Sequence, residues 1–289
     1  MRARPPLLRF LPLLPFVPIL LAPVPARAAE EAEPDGPTQA AEDAEPHGPS
    51  GREIYERVLA NRFQAYRQTA RLVSGDRAGN EQESRMTVLW KSFRDEQGAP
   101  RNDVLSKTKI RYTHPFDLRF SGYLLINNHT RSDDQFVYLN SRRRIRRVNL
   151  RGEPVLGSDF SFEDVVPREL EDADYRRLAD ELLDGRPVWV VEVTPRPGTE
   201  SEYSRFRSWV DRERDVVLRT LYWDTSGVQV KELRAPAEEV RAFDGVWVPM
   251  RTEMRNLLTG GYTVFHVEQL APDPEVADGE FDPRRLESH

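Results

Sequence analysis

Residues 136–164 read FVYLNSRRRIRRVNLRGEPVLGSDFSFED, and this stretch decides both the fold class and the kind of activity to look for. It opens on an alternating aromatic run with Phe136 and Tyr138, passes through Arg142, Arg143, Arg144, Arg146 and Arg147, and turns at Gly157. It closes on aromatics interleaved with acids, Asp159, Phe160, Phe162, Glu163 and Asp164. Period-two alternation is the mark of a strand with one buried face. On an extended chain Arg142, Arg144 and Arg146 share one side and Arg143, Ile145 and Arg147 the other, so at least one set of guanidiniums turns toward the interior. A buried charge left alone costs many kcal/mol. At least one of Arg143, Arg146 and Arg147 is therefore expected to pair with Asp159, Glu163 or Asp164, as a structural network at the rim or as an anion contact. The stretch reads as binding, not catalysis.

Period two continues on both sides. It recurs at 86–93, 104–112, 118–126, 135–140 and 143–150, with breaks at Gly98-Ala99-Pro100, His114-Pro115 and Ser132-Asp133-Asp134. After 186 it resumes in six further runs separated by turns such as Asp224-Thr225-Ser226-Gly227 and Thr259-Gly260-Gly261. Met250, Thr252 and Met254 alternate with Arg251, Glu253 and Arg255, as in an antiparallel sheet with one wet side. Two segments read as helix. Ser50 caps a run in which Ile54, Val58, Leu59, Phe63 and Tyr66 recur at helical spacing, and residues 172–185 close on Gly185 and Pro187. About eleven strands and two helices point to a mainly β chain with helices (α+β) and a strongly curved antiparallel sheet.

The chain begins with Arg2, Arg4 and Arg9, an apolar run from Phe10 to Val24, and Ala26-Arg27-Ala28, the pattern of a secretory signal peptide cleaved between Ala28 and Ala29. Residues 1–28 carry four arginines and no acid, so their removal takes the formal charge from −6 to −10. Residues 29–50 hold seven acids, no Lys or Arg and several prolines, the composition of a disordered tether. Residues 51–289 then form one folded domain. Export and periplasmic location are expected, and with no cysteine anywhere neither a lipid-modified Cys nor a disulfide is available. From Ser50 onward 38 basic residues face 41 acidic ones, which argues against nucleic-acid binding.

Enzyme chemistry finds little to work with. The five histidines are far apart in sequence without metal spacing, and neither a G-x-S-x-G elbow nor a phosphate loop occurs. No cofactor or metal is expected. Asp159 and Glu163 are the best remaining acid/base candidates, but a structural network with the arginines is the stronger reading. The aromatics tell more. Trp90, Phe120, Phe136, Tyr138, Trp189, Trp209, Tyr222, Trp247 and Phe265, with Met250 and Met254, either fill the curved sheet or line a cavity for an apolar ligand.

The order of these features resembles the LolA-like outer-membrane lipoprotein-sorting family. The resemblance rests on Tyr138, the paired arginines 143–144 and 146–147, and Gly157-Ser158-Asp159-Phe160-Ser161-Phe162-Glu163-Asp164. In weaker form it extends through Asp174-Tyr175, Trp209-Val210-Asp211, Lys231 and Gly245-Val246-Trp247-Val248-Pro249. It implies an unclosed half-barrel with helices over its concave side and a monomeric, non-enzymatic carrier of lipid or lipoprotein acyl chains, its arginines at the mouth. It also implies an inner-membrane RND/MMPL-type transporter as partner. The alternative is an envelope scaffold whose half-barrel is filled.

Overall fold

Ser50 starts the first helix as its sequence context dictates. Its backbone N–H donates to Glu53 Oε2 at 2.7 Å, and the Glu53 N–H donates back to the Ser50 hydroxyl at 3.3 Å. The helix, α1 (Gly51–Ala60), buries Ile54 and Tyr55. It stops short of Phe63 and Tyr66 because Asn61 turns its side-chain amide to a distant backbone. Asn61 Nδ2 donates to the Trp247 carbonyl (2.8 Å) and Oδ1 accepts the Trp247 N–H (2.9 Å).

The computed structural model describes residues 48–150, 152–155, 157–166, 168–199 and 201–287. The expected leader, its Ala28/Ala29 junction and nearly all of the acidic segment lie outside them. The first run of strands is β1 (Ala65–Gly75), β2 (Glu81–Ser92), β3 (Val104–His114), β4 (Gly122–Asn128), β5 (Asp134–Leu139) and β6 (Arg144–Val148). After a one-turn helix, α2 (Phe162–Val165), come β7 (Ala173–Arg177), β8 (Glu181–Leu183), β9 (Arg186–Pro195), β10 (Tyr203–Asp211) and β11 (Val217–Asp224). The last are β12 (Gln229–Arg234), β13 (Val240–Phe243), β14 (Val246–Pro249), β15 (Arg251–Asn256) and β16 (Tyr262–Pro272). Fourteen strands form one sheet in the order β6-β5-β4-β3-β2-β1-β16-β15-β12-β11-β10-β9-β7, with β8 paired to β9 off this path; β13 and β14 make a separate hairpin. Every pairing is antiparallel, and the sheet is not closed into a barrel.

The sheet curls, and two residues on α2 prove it. The Phe162 ring packs 4.5 Å from that of Tyr123 on β4, while Asp164, two residues on, reaches Lys231 on β12 at 2.8 Å. β4 and β12 are six steps apart in the sheet order. On a flat sheet that is about 29 Å, too far for neighbouring side chains to bridge. Register shifts between β1 and β16, β2 and β3, β3 and β4, β10 and β11, and β11 and β12 supply bulges that add local twist.

Two layers of core follow. Inside the curl one cluster gathers Ile54, Tyr55, Val191, Val193, Phe206, Tyr222 and Met254 under α1, and a second gathers Met86, Val88, Ile110, Tyr112, Tyr123 and Phe162. Outside, residues 276–286 cover Leu89, Phe93, Leu124 and Tyr138 through Phe281 and Leu286. The β13–β14 hairpin covers Val188, Val190 and Trp209 through Val240 and Trp247. Among the described residues no helix is long and apolar enough to cross a membrane.

Several sequence expectations change. Residues 172–185 are not a helix but the edge strand β7, a turn and β8. Ala173 and Arg177 point inward from β7 while Leu182, which a helix would have buried, is 73% exposed. The run at 118–126 starts only at Gly122, since Phe120 sits in a turn at φ 70°. The run expected at 245–256 breaks at Met250, giving its first half to the hairpin and its second to the main sheet. These divisions raise the strand count above the eleven expected.

Candidate functional site

The chain leaves β6 at one edge of the sheet and re-enters at β7, the other edge, so residues 149–172 must cross the whole curl. This crossing strap is the acidic, aromatic half of the deciding stretch. Gly157 adopts φ 76°, a left-handed turn that a side chain disfavours. Beyond it Phe160 enters the core around Tyr55 and Tyr222, and Phe162 enters the core around Tyr123. Ser161 caps α2, its N–H and hydroxyl both donating to Asp164 Oδ2 at 2.7 and 2.9 Å.

The three acids anchor the strap. Thr263, fully buried on β16, accepts the Asp159 N–H at 2.8 Å and donates to Asp159 Oδ2 at 3.0 Å. Glu163 accepts from Ser201 Oγ (2.5 Å), the Glu202 N–H (2.8 Å) and Arg168 (3.0 Å), whose guanidinium lies over the Phe206 ring. Asp164 accepts from Tyr203 Oη at 2.7 Å and from Lys231 Nζ at 2.8 Å. Glu163 and Asp164 side chains are 2% and 1% exposed. All three carboxylates are thus engaged in holding the fold, a disposition opposed to general acid/base work.

The expected pairing of Arg143, Arg146 or Arg147 with these acids is not made. Arg147 pairs with Asp134 on the neighbouring β5, and Arg143 takes φ 45° at the end of the 3₁₀ turn Asn140–Arg142. The reason is topological: past Gly157 the acids project toward β10, β12 and β16, away from β6. The side chains of Arg142, Arg144 and Arg146 make no ion pair or hydrogen bond among the described residues.

Those three arginines border a cavity of about 340 Å³ between β3–β6 and the start of the strap. Ile110, Tyr112, Tyr123, Val137, Val155 and Phe162 form its apolar wall, and Glu153 is the one carboxylate among its described lining residues. Val137 and Leu139 face it because they pair with Arg146 and Arg144 across β5–β6. The Tyr123 hydroxyl is buried without a hydrogen-bond partner among the described residues, and burial, reinforced by the Asp133 charge, pushes its pKa well above the ordinary tyrosine value. Two other clefts, of about 990 and 400 Å³, include charges already committed to one another. Examples are Arg168 with Glu163 in the first and Glu232 between Arg219 and Arg234 in the second.

The aromatic residues expected to line the concavity are scattered by the pleat. Trp90, Trp189, Tyr222, Met254 and Phe265 do face the inside, but as packed core: Trp90 stacks on Tyr66, Met254 is fully buried, and Phe265 joins the two inner clusters. Phe136, Tyr138, Trp209 and Trp247 face the outside, under residues 276–286 or against the hairpin. Phe120 lies in its turn, beneath the Arg119 guanidinium, and Met250 at the strand break. Val137 and Leu139 alternate with the aromatics Phe136 and Tyr138, so the wall lies on the opposite face of β5 from the rings expected to line it. Of the rim arginines expected, Arg143, Arg146 and Arg147, only Arg146 lines the cavity.

Known proteins share this architecture. A structure of an outer membrane lipoprotein-sorting protein domain from Vibrio parahaemolyticus superposes with a TM-score of 0.73 at 22% identity, covering 82% of this chain and 98% of its own. A DUF1329 family protein from Desulfovibrio piger gives 0.75 at 24% identity, with 82% and 97% covered. A LolA superfamily protein from Nitrosomonas europaea gives 0.63 at 18% identity, with 81% and 98% covered. No curated protein matches the sequence. A family model described only as "-like: Uncharacterized protein" matches residues 105–288, which include the arginine strand, the strap and the cavity wall. The chain belongs to that family, and its fold is the LolA-like fold of the lipoprotein-sorting proteins.

Proposed function

We propose that this protein is a periplasmic, non-enzymatic carrier or chaperone for lipids or acylated proteins, exported through a cleaved signal peptide. The observation that carries this reading is the apolar cavity inside the curl, bordered by guanidiniums that no described residue engages. An acyl chain entering it gains about 0.8 kcal/mol per buried CH₂, and guanidinium suits a carboxylate or phosphate at the mouth because it binds such anions bidentately. The fold shared with lipoprotein-sorting domains supports the reading at the level of architecture. An inner-membrane RND/MMPL-type transporter is the partner proposed for loading or unloading. Native mass spectrometry of protein purified from its own periplasm tests the proposal: a carrier retains a bound lipid, released on denaturation.

A second reading, an envelope scaffold with a filled half-barrel, draws on the packing under α1, where Val191, Val193 and Met254 are fully buried and leave no lining for a ligand. Lipid-free protein in the same experiment favours it.

A further inference from the structure

The cavity is small, and the charge at its mouth is one-sided. At about 30 Å³ per water-sized group, its 340 Å³ takes roughly eleven methylenes. That is one medium-length acyl chain and only a fraction of a triacylated lipoprotein anchor. The polar end is as restrictive. Arg142, Arg144 and Arg146 bring three guanidiniums against Glu153 alone, and none of them is engaged by a described residue. Other arginines of this chain are treated differently: Arg219 and Arg234 share Glu232, and Arg251 and Arg255 share Glu253. All three are exposed at the cavity's border, where an anionic head can accept charge-assisted hydrogen bonds from them.

We infer that this cavity takes one single-chain amphiphile with an anionic head, a carboxylate or a phosphate monoester. The chain lies against Tyr112, Tyr123, Val137 and Phe162, and the head sits at Arg142, Arg144 and Arg146. This inference rests on the carrier reading and narrows it, since a triacylated cargo does not fit the cavity as it stands.

Displacement of a fluorescent fatty acid from the lipid-stripped full chain measures the affinities of four ligands: dodecanoate, dodecyl phosphate, the uncharged monolaurin and a triacylated lipopeptide. The expected result is one site per protein, with dodecanoate or dodecyl phosphate bound at least about tenfold more tightly than monolaurin. Which of the two anions binds better identifies the headgroup. The triple variant Arg142→Ala/Arg144→Ala/Arg146→Ala, altered only at exposed positions, should lose that preference and keep its monolaurin affinity. Equal affinity for charged and uncharged ligands, or an unchanged triple variant, overturns the inference. Binding of the lipopeptide but of no single-chain ligand leaves the carrier reading standing and sinks this one, whereas binding of none of the four removes both.

Discussion

Lys231 Nζ lies 2.8 Å from Asp164 Oδ2, joining β12 to the one-turn helix of the strap across 67 residues of sequence. Asp164 is 1% exposed and Lys231 15%. Removing the ammonium leaves the carboxylate buried with only neutral donors. Lys231→Met is expected to destabilise the protein by about 3–5 kcal/mol, and Asp164→Asn/Lys231→Met by less, because a broken buried pair costs more than an absent one. Urea unfolding of the two variants and the wild type checks the order; a single variant as stable as the double would show that the pair is not an electrostatic anchor.

The Thr263 hydroxyl ties Asp159 of the strap to β16 and also lies 3.0 Å from Ser74 Oγ on β1. Thr263→Val keeps the side-chain shape and strands these partners, so a loss of about 1–3 kcal/mol is expected. Hydrogen exchange adds a spatial readout: amides of residues 157–164 should lose protection more than those of α1.

Charges placed at two inner positions should separate core from cavity. Met254 is fully buried in packed core, and Met254→Glu is expected to unfold the domain, since an unpaired charge there has no partner and no water. Val137 is only partly buried and borders the cavity. Val137→Glu should keep the wild-type circular dichroism spectrum and abolish binding of fluorescent fatty acid. A folded Met254→Glu protein would contradict the packing described here.

Tyr123 carries a buried hydroxyl with no partner among the described residues. In the ligand-free protein Tyr123→Phe removes an unsatisfied group at little cost in volume, so stability should stay level or rise by up to about 1 kcal/mol. Thermal unfolding of the stripped protein decides it, and a clear loss would mean that the hydroxyl has a partner after all.

Acid sensitivity should be traceable to Asp211, buried and bonded to Arg214. Burial alone would raise its pKa, but the Arg214 hydrogen bonds and the Glu213 N–H outweigh it, so the folded pKa lies below the ordinary value. A carboxylate depressed on folding contributes stability that is fully present above its unfolded pKa, near 3.9, and is lost as pH falls from there through the folded value. Unfolding free energy measured from pH 6 down to pH 3 should drop in the wild type, and the drop should be shallower in Asp211→Asn. Equal slopes would assign acid lability to other carboxylates, such as Glu192 and Glu232, whose pKa values their arginine partners also hold down.

Much of the architecture is legible without coordinates where one residue's neighbours in sequence are its neighbours in force. The Ser50/Glu53 cap, the alternation of Met254 with Arg251, Glu253 and Arg255, and the common side of Arg144 and Arg146 each follow from local periodicity. The candidate site was only half legible. The arginine-dense strand was visible, but which of its guanidiniums reach the cavity and which residues wall it were not, because Val137 and Phe136 differ only by which side of the pleat they occupy.

The sequence by itself determined a mainly β chain, a curved antiparallel sheet and an arginine strand followed by an acidic, aromatic segment, since pleat and helix periods are properties of the local backbone. Only the tertiary structure decided which face was inside, that residues 172–185 pair with β9 as an edge strand, and that Asp159, Glu163 and Asp164 reach Thr263, Arg168 and Lys231 rather than the arginines of β6. The physical reason is that these choices depend on closing distances across the curl. A carboxylate is satisfied by whichever donor the folded sheet brings within about 3 Å, and nothing in the spacing between residues 147 and 159 says that the chain has by then crossed to strands it pairs with only later in sequence.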